Sequence, residues 1–287
     1  MRAPVRTLAG LGRVRISLAA GLSAMAGYVL AAYSAGPMVF LLGTGVFLLA
    51  AGASGLNQYQ ERHTDALMER TRARPLPSGA MTARGVLLLC GICMPAGLLL
   101  IFFAGGNGAA GIGVFAVVWY NGLYTNLKRI TAFAALPGAL IGALPPLIGW
   151  SAAGGNLTDP ALLVLCLFFF LWQVPHFWLT AVRYADQYSS AGLPTPASVF
   201  SKRQLSRIVF VWIAAVAVSS LLFVPVGLTL HAPAGYALLI LSGLLLLQGG
   251  SIITRRESIL ACGHTLKALN VYLLVVLALF FADRLLS

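Results

Sequence analysis

The sequence predicts an all-α integral membrane protein in which nine transmembrane helices form a bundle around a central cavity. The chain of 287 residues is 59% hydrophobic and only 9% charged, and its mean hydropathy is +0.89. Long apolar runs recur along its whole length. A helix needs about 20 apolar residues to cross the roughly 30 Å of hydrocarbon in a bilayer, and each run is close to that length.

In chain order, short polar or glycine-rich segments such as Ser34–Gly36, Gly105–Gly108 and Thr229–Pro233 separate successive spans. Little of the chain remains for a soluble domain, so residues 1–287 are predicted to form a single multi-pass membrane domain. The two longest polar segments, about 58–84 and 183–206, have room for chemistry and are the predicted active-site loops. The predicted spans lie near residues 14–34, 37–57, 85–104, 108–125, 132–152, 160–181, 207–228, 234–253 and 267–285.

The formal net charge of +12 has a membrane explanation rather than a nucleic-acid one. If the spans alternate from a cytoplasmic N-terminus, all of the 19 Lys and Arg residues except Arg284 lie on the cytoplasmic side. Such a bias is the signature by which membrane proteins are oriented. We therefore expect a protein of the cell inner (plasma) membrane, with the N-terminus and both active-site loops cytoplasmic and with no nucleic-acid partner.

The first candidate site is a ladder of Asn57, Glu61 and Asp65, which recur at every fourth residue at the edge of the second span. On a helix this spacing drifts by only about 40° per step, so the three side chains share one face. Mg²⁺ binds one or two carboxylates and leaves other positions to water and substrate phosphates. His63, Glu69 and Arg70 lie off this face and are expected to be solvated.

Arginines follow the ladder directly. Arg72 and Arg74 can hold phosphate through forked, charge-assisted hydrogen bonds. The turn from Arg74 to Gly79 contains Pro75 and Pro77, which end the helix and direct the arginines back towards the ladder. Ionisable groups at a membrane edge are functional more often than incidental. The ladder and the arginines together predict a metal-dependent diphosphate site.

Two further clusters are candidates. Lys128 and Arg129 follow the fourth span, where they serve either as membrane anchors or as phosphate contacts. Gln173 and His176 share a helical face in the sixth span. A buried histidine is commonly a hydrogen-bonded core residue, but the polar pair near the cytoplasmic end favours function. Arg183 and Asp186 follow at the mouth of that span and are candidates for an anion and metal site.

These segments resemble protoheme IX farnesyltransferases, the haem O synthase family within the UbiA-type intramembrane prenyltransferase superfamily. The ladder alone is typical of the superfamily, and the Gln-x-Pro-His-Phe segment is typical of the haem-modifying branch. The resemblance extends over nearly the whole chain. It is carried by Asn57-x₃-Glu61-x₃-Asp65, Arg70-Thr71-Arg72-x-Arg74-Pro75, Tyr124-Thr125-x₂-Lys128-Arg129, Pro145-Pro146-x₂-Gly149-Trp150 and Gln173-x-Pro175-His176-Phe177.

The resemblance implies Mg²⁺ as cofactor, farnesyl diphosphate and haem b as substrates, and transfer of the farnesyl group to a vinyl group of haem b with addition of water. A haem A synthase acts downstream in such a pathway. The implied site residues are Asn57, Glu61 and Asp65 as catalytic metal ligands and Arg72, Arg74, Lys128 and Arg129 as residues that bind the substrate phosphates. From the residues themselves we expect His176 to be catalytic, for haem orientation or the water step, and Gln173, Arg183 and Asp186 to bind substrate.

The sequence departs from the family pattern at Glu61 and His63, where many bacterial members have Asp. Of a second paired-Asp motif found in relatives that prenylate quinone precursors, only Asp186 remains near that place. Two alternatives stay open. A related prenyltransferase acting on a quinone precursor or a chlorin would usually lack Gln173-x-Pro-His176. A transporter is less favoured, because neither half has a Gly/Pro-interrupted span with ionisable groups at midplane.

Overall fold

The structure is a computed structural model that describes residues 2–34, 36–229, 231–254 and 259–285, and every regular element in this part of the chain is helical. The predicted all-α class is confirmed. Residues 255–258, which lie between the predicted spans 234–253 and 267–285, are outside the described residues. The elements are α1 (Arg2–Leu11), α2 (Val14–Ala32), α3 (Pro37–Leu67), α4 (Ala83–Val117), a π-helix (Val118–Tyr124), α5 (Thr125–Leu127), a 3₁₀-helix (Ala132–Ala134), α6 (Ala135–Ala152), α7 (Pro160–Arg183), α8 (Ala185–Ser190), α9 (Pro196–Val199), α10 (Lys202–Leu221), α11 (Ala232–Thr254) and α12 (Ile259–Leu285).

Within the described residues, eight helices are long and apolar enough to cross a membrane. The predicted number of nine spans is therefore not confirmed. The difference arises at Ala83–Leu127, a run of 45 residues that counts as one helix although the sequence predicts two spans there. Seven of the predicted spans correspond to the seven other helices.

The chain reverses direction inside this long run, at Gly106. Gly106 has φ 71° and ψ −165°, a conformation outside the helical region that suits glycine because it has no Cβ. A Cβ placed on Gly113 would lie 3.1 Å from Cδ2 of Leu98. An unbroken helix would separate positions 98 and 113 by about 22 Å. The reversal falls between the two spans predicted at 85–104 and 108–125.

The chain folds into two compact units, and the predicted single domain over residues 1–287 stays a prediction. The first unit contains residues 1–130, 144–156 and 186–193. In it α3 and α4 approach closely at two glycines: a Cβ on Gly97 would lie 2.7 Å from the carbonyl oxygen of Gly45. Small residues allow such close packing of membrane helices. The core around this contact contains Leu42, Val46, Leu49, Ile101 and Ile148.

The second unit contains residues 131–143, 157–185 and 194–287. Its core is aromatic: the ring of Phe223 lies 5.1 Å from that of Phe168 and 4.9 Å from that of Phe280, between centroids. Three buried hydroxyl groups join α10, α11 and α12, because Tyr272 lies 2.6 Å from Ser220 and 3.0 Å from Ser242. Hydrogen bonds of this kind stabilise helix contacts in membranes.

Candidate active site

The predicted ladder lies on α3, which continues without a break from Pro37 to Leu67. Asn57, Glu61 and Asp65 have exposed fractions of 0%, 7% and 1%, whereas His63 on the same turn is exposed. The shared face that the four-residue spacing predicts is therefore present, and it points into the first unit. Burial of two carboxylates is unfavourable unless cations or hydrogen bonds compensate for it, so the neighbours of these side chains decide what the site can do.

Both carboxylates have a basic partner that the sequence also marks as a candidate. Nη1 of Arg74 lies 2.6 Å from Oδ2 of Asp65, and the ammonium group of Lys128 forms an ion pair with Oε1 of Glu61. Burial lowers the pKa of Lys128, and the Glu61 carboxylate opposes that change. Arg74 reaches back because the chain turns after α3, where the hydroxyl of Thr71 donates to the Asp65 carbonyl at 2.8 Å.

Arg13 joins this cluster, although the sequence predicts only that it lies on the cytoplasmic side. It connects α1 to α2 in the left-handed conformation, with φ 43°, and its Nη2 donates to Oδ1 of Asn57 at 3.4 Å. Burial favours a lower pKa for this guanidinium, but Tyr120, Glu61 and Asp65 outweigh it and raise the pKa above its ordinary value. The only indication of this contact in the sequence is that Arg13 lies at the start of the first span, on the same predicted side of the membrane as the ladder.

The other side of the ladder contacts the π-helix Val118–Tyr124 and the start of α5. Nδ2 of Asn57 donates to Oγ1 of Thr125 at 3.0 Å. Asn121 is buried and donates to the carbonyl of Ala53 at 3.0 Å and to Oε1 of Gln60 at 3.2 Å. π-Helical turns are rare and occur often at functional sites. No sequence pattern predicts this turn, and the contacts of Asn121 with Ala53 and Gln60 of α3 are therefore evident only from the structure.

Two of the predicted phosphate-binding residues lie apart from the carboxylates. Arg72 is exposed and its guanidinium lies 3.8 Å from the carboxylate of Glu69, a surface pair of small energetic value. Nη2 of Arg129 donates to the carbonyl oxygen of Gln60 at 2.6 Å. It therefore reaches the backbone of α3, one residue before Glu61, rather than a carboxylate.

The two predicted active-site loops meet at Arg70. Its backbone N–H donates to Oε1 of Gln187 at 2.9 Å, and its guanidinium donates to the hydroxyl of Tyr188 at 3.2 Å. Arg70 is exposed, as expected, but it also forms these two hydrogen bonds with the second loop. Asp186, next to Gln187, is exposed at the start of α8.

In the second unit, α7 carries Gln173, His176 and Arg183. The imidazole Nδ1 of His176 lies 2.9 Å from Oδ1 of Asn270 on α12. Gln173 packs against α6, because a Cβ on Gly142 would lie 3.0 Å from its Oε1. Arg183 is exposed at the end of α7. The expected site formed by Arg183 with Asp186 stays a prediction.

The donor set of the ladder fits Mg²⁺. The part of the chain that the structure describes contains no group of three or more His, Cys, Asp or Glu residues placed to hold a metal ion by themselves. The ladder has only two residues of these types, and it offers their two carboxylates and one amide oxygen. Mg²⁺ is usually held through one or two carboxylates together with water and substrate phosphates. The ion pairs with Arg74 and Lys128 engage Oδ2 of Asp65 and Oε1 of Glu61, and each carboxylate has a second oxygen.

Comparison with known proteins defines the class. The model of the UbiA prenyltransferase family matches residues 20–274. The chain therefore belongs to the UbiA prenyltransferase family, as the resemblance predicted, and it is a multi-pass membrane protein.

Among its relatives, the protoheme IX farnesyltransferase of Geobacter sulfurreducens is 44% identical over 218 residues, which cover 76% of the chain and 80% of the relative. That of Oleidesulfovibrio alaskensis is 37% identical over 283 residues, which cover 99% of the chain and 98% of the relative.

Solved structures agree on the fold. A digeranylgeranylglyceryl phosphate synthase superposes with a TM-score of 0.79 at 16% identity over 100% of both chains. A UbiA homologue from Archaeoglobus fulgidus bound to DMAPP and Mg²⁺ superposes with a TM-score of 0.68 at 16% identity, over 98% of this chain and 100% of the homologue. These likenesses establish the fold of the chain.

Proposed function

We propose that the chain transfers the farnesyl group of farnesyl diphosphate to a vinyl group of haem b and adds water, which yields haem O and diphosphate. The observation that carries this proposal is the end-to-end similarity to a protoheme IX farnesyltransferase, at 37% identity over 99% of the chain. The geometry of the ladder supports the diphosphate half of the reaction. The Gln173–His176 segment supports the choice of a haem acceptor over a quinone precursor or a chlorin.

In this proposal, Asn57, Glu61 and Asp65 hold Mg²⁺ together with the diphosphate. Bound Mg²⁺ supplies positive charge that stabilises the departing diphosphate. Arg74 and Lys128 exchange their carboxylate partners for diphosphate oxygens, and Arg13 adds a third cation beside Asn57. Preorganised charges of this kind usually provide the largest part of catalysis. Arg72 and Arg129 bind the substrate at the edge of the site. Arg183 and Asp186 bind it from the second active-site loop.

The bond changes balance without a further reactant. The allylic C–O bond breaks and its electron pair leaves with the diphosphate. The vinyl group of haem b attacks the farnesyl cation, which moves the positive charge to the carbon next to the porphyrin ring. Water adds there and loses a proton, so a hydroxyethylfarnesyl group remains. Water must be excluded until the first bond has formed, which an apolar membrane interior favours. Gln173 and His176 orient the haem.

The proposed setting is the cell inner (plasma) membrane, with the N-terminus and both active-site loops in the cytoplasm. The distribution of Lys and Arg along the sequence supports this orientation. The product is more hydrophobic than haem b and remains in the bilayer. A haem A synthase is the proposed partner downstream, because oxidation of this product completes haem A.

The direct test uses membranes that contain this chain, incubated with haem b, farnesyl diphosphate and Mg²⁺. Mass spectrometry of the extracted pigment should show a haem heavier by one farnesyl group and one hydroxyl group. Membranes with the Asp65→Asn variant provide the control, since the side-chain size is kept and the charge removed. Prenylation of an added quinone precursor, with haem b left unchanged, would contradict the proposal.

A further inference from the structure

Asn270 defines the tautomer of His176. The two side chains meet with Nδ1 of His176 2.9 Å from Oδ1 of Asn270. An amide oxygen only accepts hydrogen bonds, so in this pairing Nδ1 carries the proton. In a neutral imidazole the other nitrogen, Nε2, then has the unshared electron pair.

Trp172 fixes the plane of the same ring. Its indole stacks on the imidazole of His176 with 4.8 Å between centroids and 30° between planes. The indole Nε1 donates to the carbonyl oxygen of Leu269 at 2.9 Å, and Leu269 directly precedes Asn270. Two hydrogen bonds to adjacent residues of α12 therefore determine both the orientation and the tautomer of one histidine on α7.

A histidine that serves only the core would be expected to use both ring nitrogens or to be enclosed by apolar side chains. The His176 side chain is only partly buried. Among the residues that the structure describes, its ring makes a hydrogen bond through Nδ1 and none through Nε2. An imidazole held through Nδ1–H, with Nε2 unprotonated, is the arrangement that proteins use for histidine ligands of metals.

We propose that Asn270 is a positioning residue that holds His176 in the Nδ1–H form, so that Nε2 ligates the iron of the haem substrate. This inference rests on the proposed function, because it presumes that haem b is the acceptor. Ligation through Nε2 would hold the porphyrin by its iron while a vinyl group at its edge reacts. A hydrogen bond from Nδ1 to an acceptor also raises the basicity of the ligand, and axial ligands tune haem iron.

The test measures haem b binding to the purified full-length chain in lipid nanodiscs, by absorbance and electron paramagnetic resonance, with farnesyl diphosphate binding measured in parallel. Asn270→Leu removes the acceptor at similar volume. We expect haem affinity to fall about tenfold to a hundredfold, as for other partners of histidine ligands, and the spectral signature of histidine ligation to weaken. His176→Ala should abolish that signature. Asn270→Asp keeps an acceptor and should retain it, with a lower haem reduction potential.

Trp172→Phe is the matched control, because it removes the hydrogen bond to Leu269 and keeps an aromatic ring against His176. It should retain the ligation signature with a smaller loss of haem affinity. An equal loss in Trp172→Phe and Asn270→Leu would overturn the inference, since the effect would then come from loosening α7 against α12. Loss of farnesyl diphosphate affinity in Asn270→Leu would overturn it too.

The inference and the proposed function fail in different ways. If the unmodified chain makes no farnesylated haem, the proposed function fails. If it makes the product but His176→Ala and Asn270→Leu leave the haem spectrum unchanged, only the inference about Asn270 and the iron fails.

Discussion

Asn57 links three segments that are far apart in the sequence. Its amide nitrogen donates to Thr125, and its amide oxygen accepts from Arg13. The neighbouring carboxylates of Glu61 and Asp65 each face a cation. Removal of one member of a buried ion pair is strongly destabilising, because the other charge stays without compensation. Substitutions in this cluster should therefore keep the volume of the side chain wherever activity is to be separated from folding.

The first prediction concerns the carboxylates. Asp65→Asn should lower farnesyl transfer at least about a hundredfold with the protein still inserted in the membrane, because the proposed metal ligand loses its charge. Glu61→Asp should retain substantial activity, since the carboxylate is kept. Turnover of purified variants measures both, and Glu69→Gln, on an exposed acid, is the control. Equal loss in Glu61→Asp and Glu61→Ala would show that the longer side chain is itself required.

The second prediction separates two arginines that the sequence treats alike. Arg74→Gln, which keeps most of the side-chain volume, should reduce farnesyl diphosphate affinity tenfold or more, because loss of a charge-assisted hydrogen bond is worth about 1.5–3 kcal/mol. Arg72→Gln should change it less than about twofold, as expected for an exposed charge pair. Isothermal titration with farnesyl diphosphate and Mg²⁺ would decide, and a larger effect at Arg72 would contradict the proposed site.

The third prediction concerns Arg13. Its guanidinium contacts Asn57, so Arg13→Gln should weaken farnesyl diphosphate binding about tenfold, which corresponds to roughly 1.4 kcal/mol. Arg15→Gln is the matched control, since Arg15 lies two residues further along and is exposed. The same titration applies. Similar losses in the two variants would indicate a general effect of basic residues near the membrane surface rather than a contact within the site.

At the scale of elements, the glycine contacts between α3 and α4 determine how closely the helix that carries the ladder can pack. Gly97 has no space for a side chain, because an added Cβ would lie 2.6 Å from the backbone nitrogen of Leu49. Gly91, on the same helix, has nothing within 4 Å of that position. The two glycines look equivalent in the sequence, and only the packing distinguishes them.

The fourth prediction follows from this contrast. Gly97→Ala should destabilise the protein by about 1–3 kcal/mol, the usual effect of overpacking, and should lower activity because the ladder shifts with α3. Gly91→Ala should be neutral or stabilise by up to about 1 kcal/mol, because alanine is the better helix former. Thermal unfolding in detergent measures both changes. Equal stability of the two variants would argue against the close approach at Gly45 and Gly97.

At the scale of the whole molecule, the orientation of the spans decides which compartment supplies the substrates. Arg70 joins the two predicted active-site loops through Gln187 and Tyr188, so both loops should open to the same compartment. In the proposed orientation, which rests on the distribution of Lys and Arg and the positive-inside rule, that compartment is the cytoplasm. The path of the chain through the bilayer can be tested independently of catalysis.

The fifth prediction is a labelling pattern in intact cells. Single cysteines replacing Ser78 and Ser189, in a chain without its four native cysteines, should both resist an impermeant thiol reagent added outside. Cysteines replacing Ser151 and Ala232 should react from that side and serve as the positive controls. Labelling of the cysteines at positions 78 and 189 from opposite sides of the membrane would contradict the proposed orientation.

The sequence by itself determined the class, the approximate positions of seven of the eight long apolar helices in the described residues, the shared face of Asn57, Glu61 and Asp65, and the return of Arg74 to that face. These features follow from hydropathy, from helical periodicity and from the turn chemistry of proline, all of which act over a few neighbouring residues. Recognition of the family likewise depended on short motifs that can be read in the chain.

Only the tertiary structure decided which partners those residues have. Lys128 with Glu61, Arg13 with Asn57 and Asn270 with His176 are pairs separated by 44 to 94 positions in the chain. Local patterns carry no information on such pairs, because they form when packed helices bring distant segments together. The reversal at Gly106 and the π-helix at Val118–Tyr124 belong to the same category, since each depends on the helices against which the segment packs.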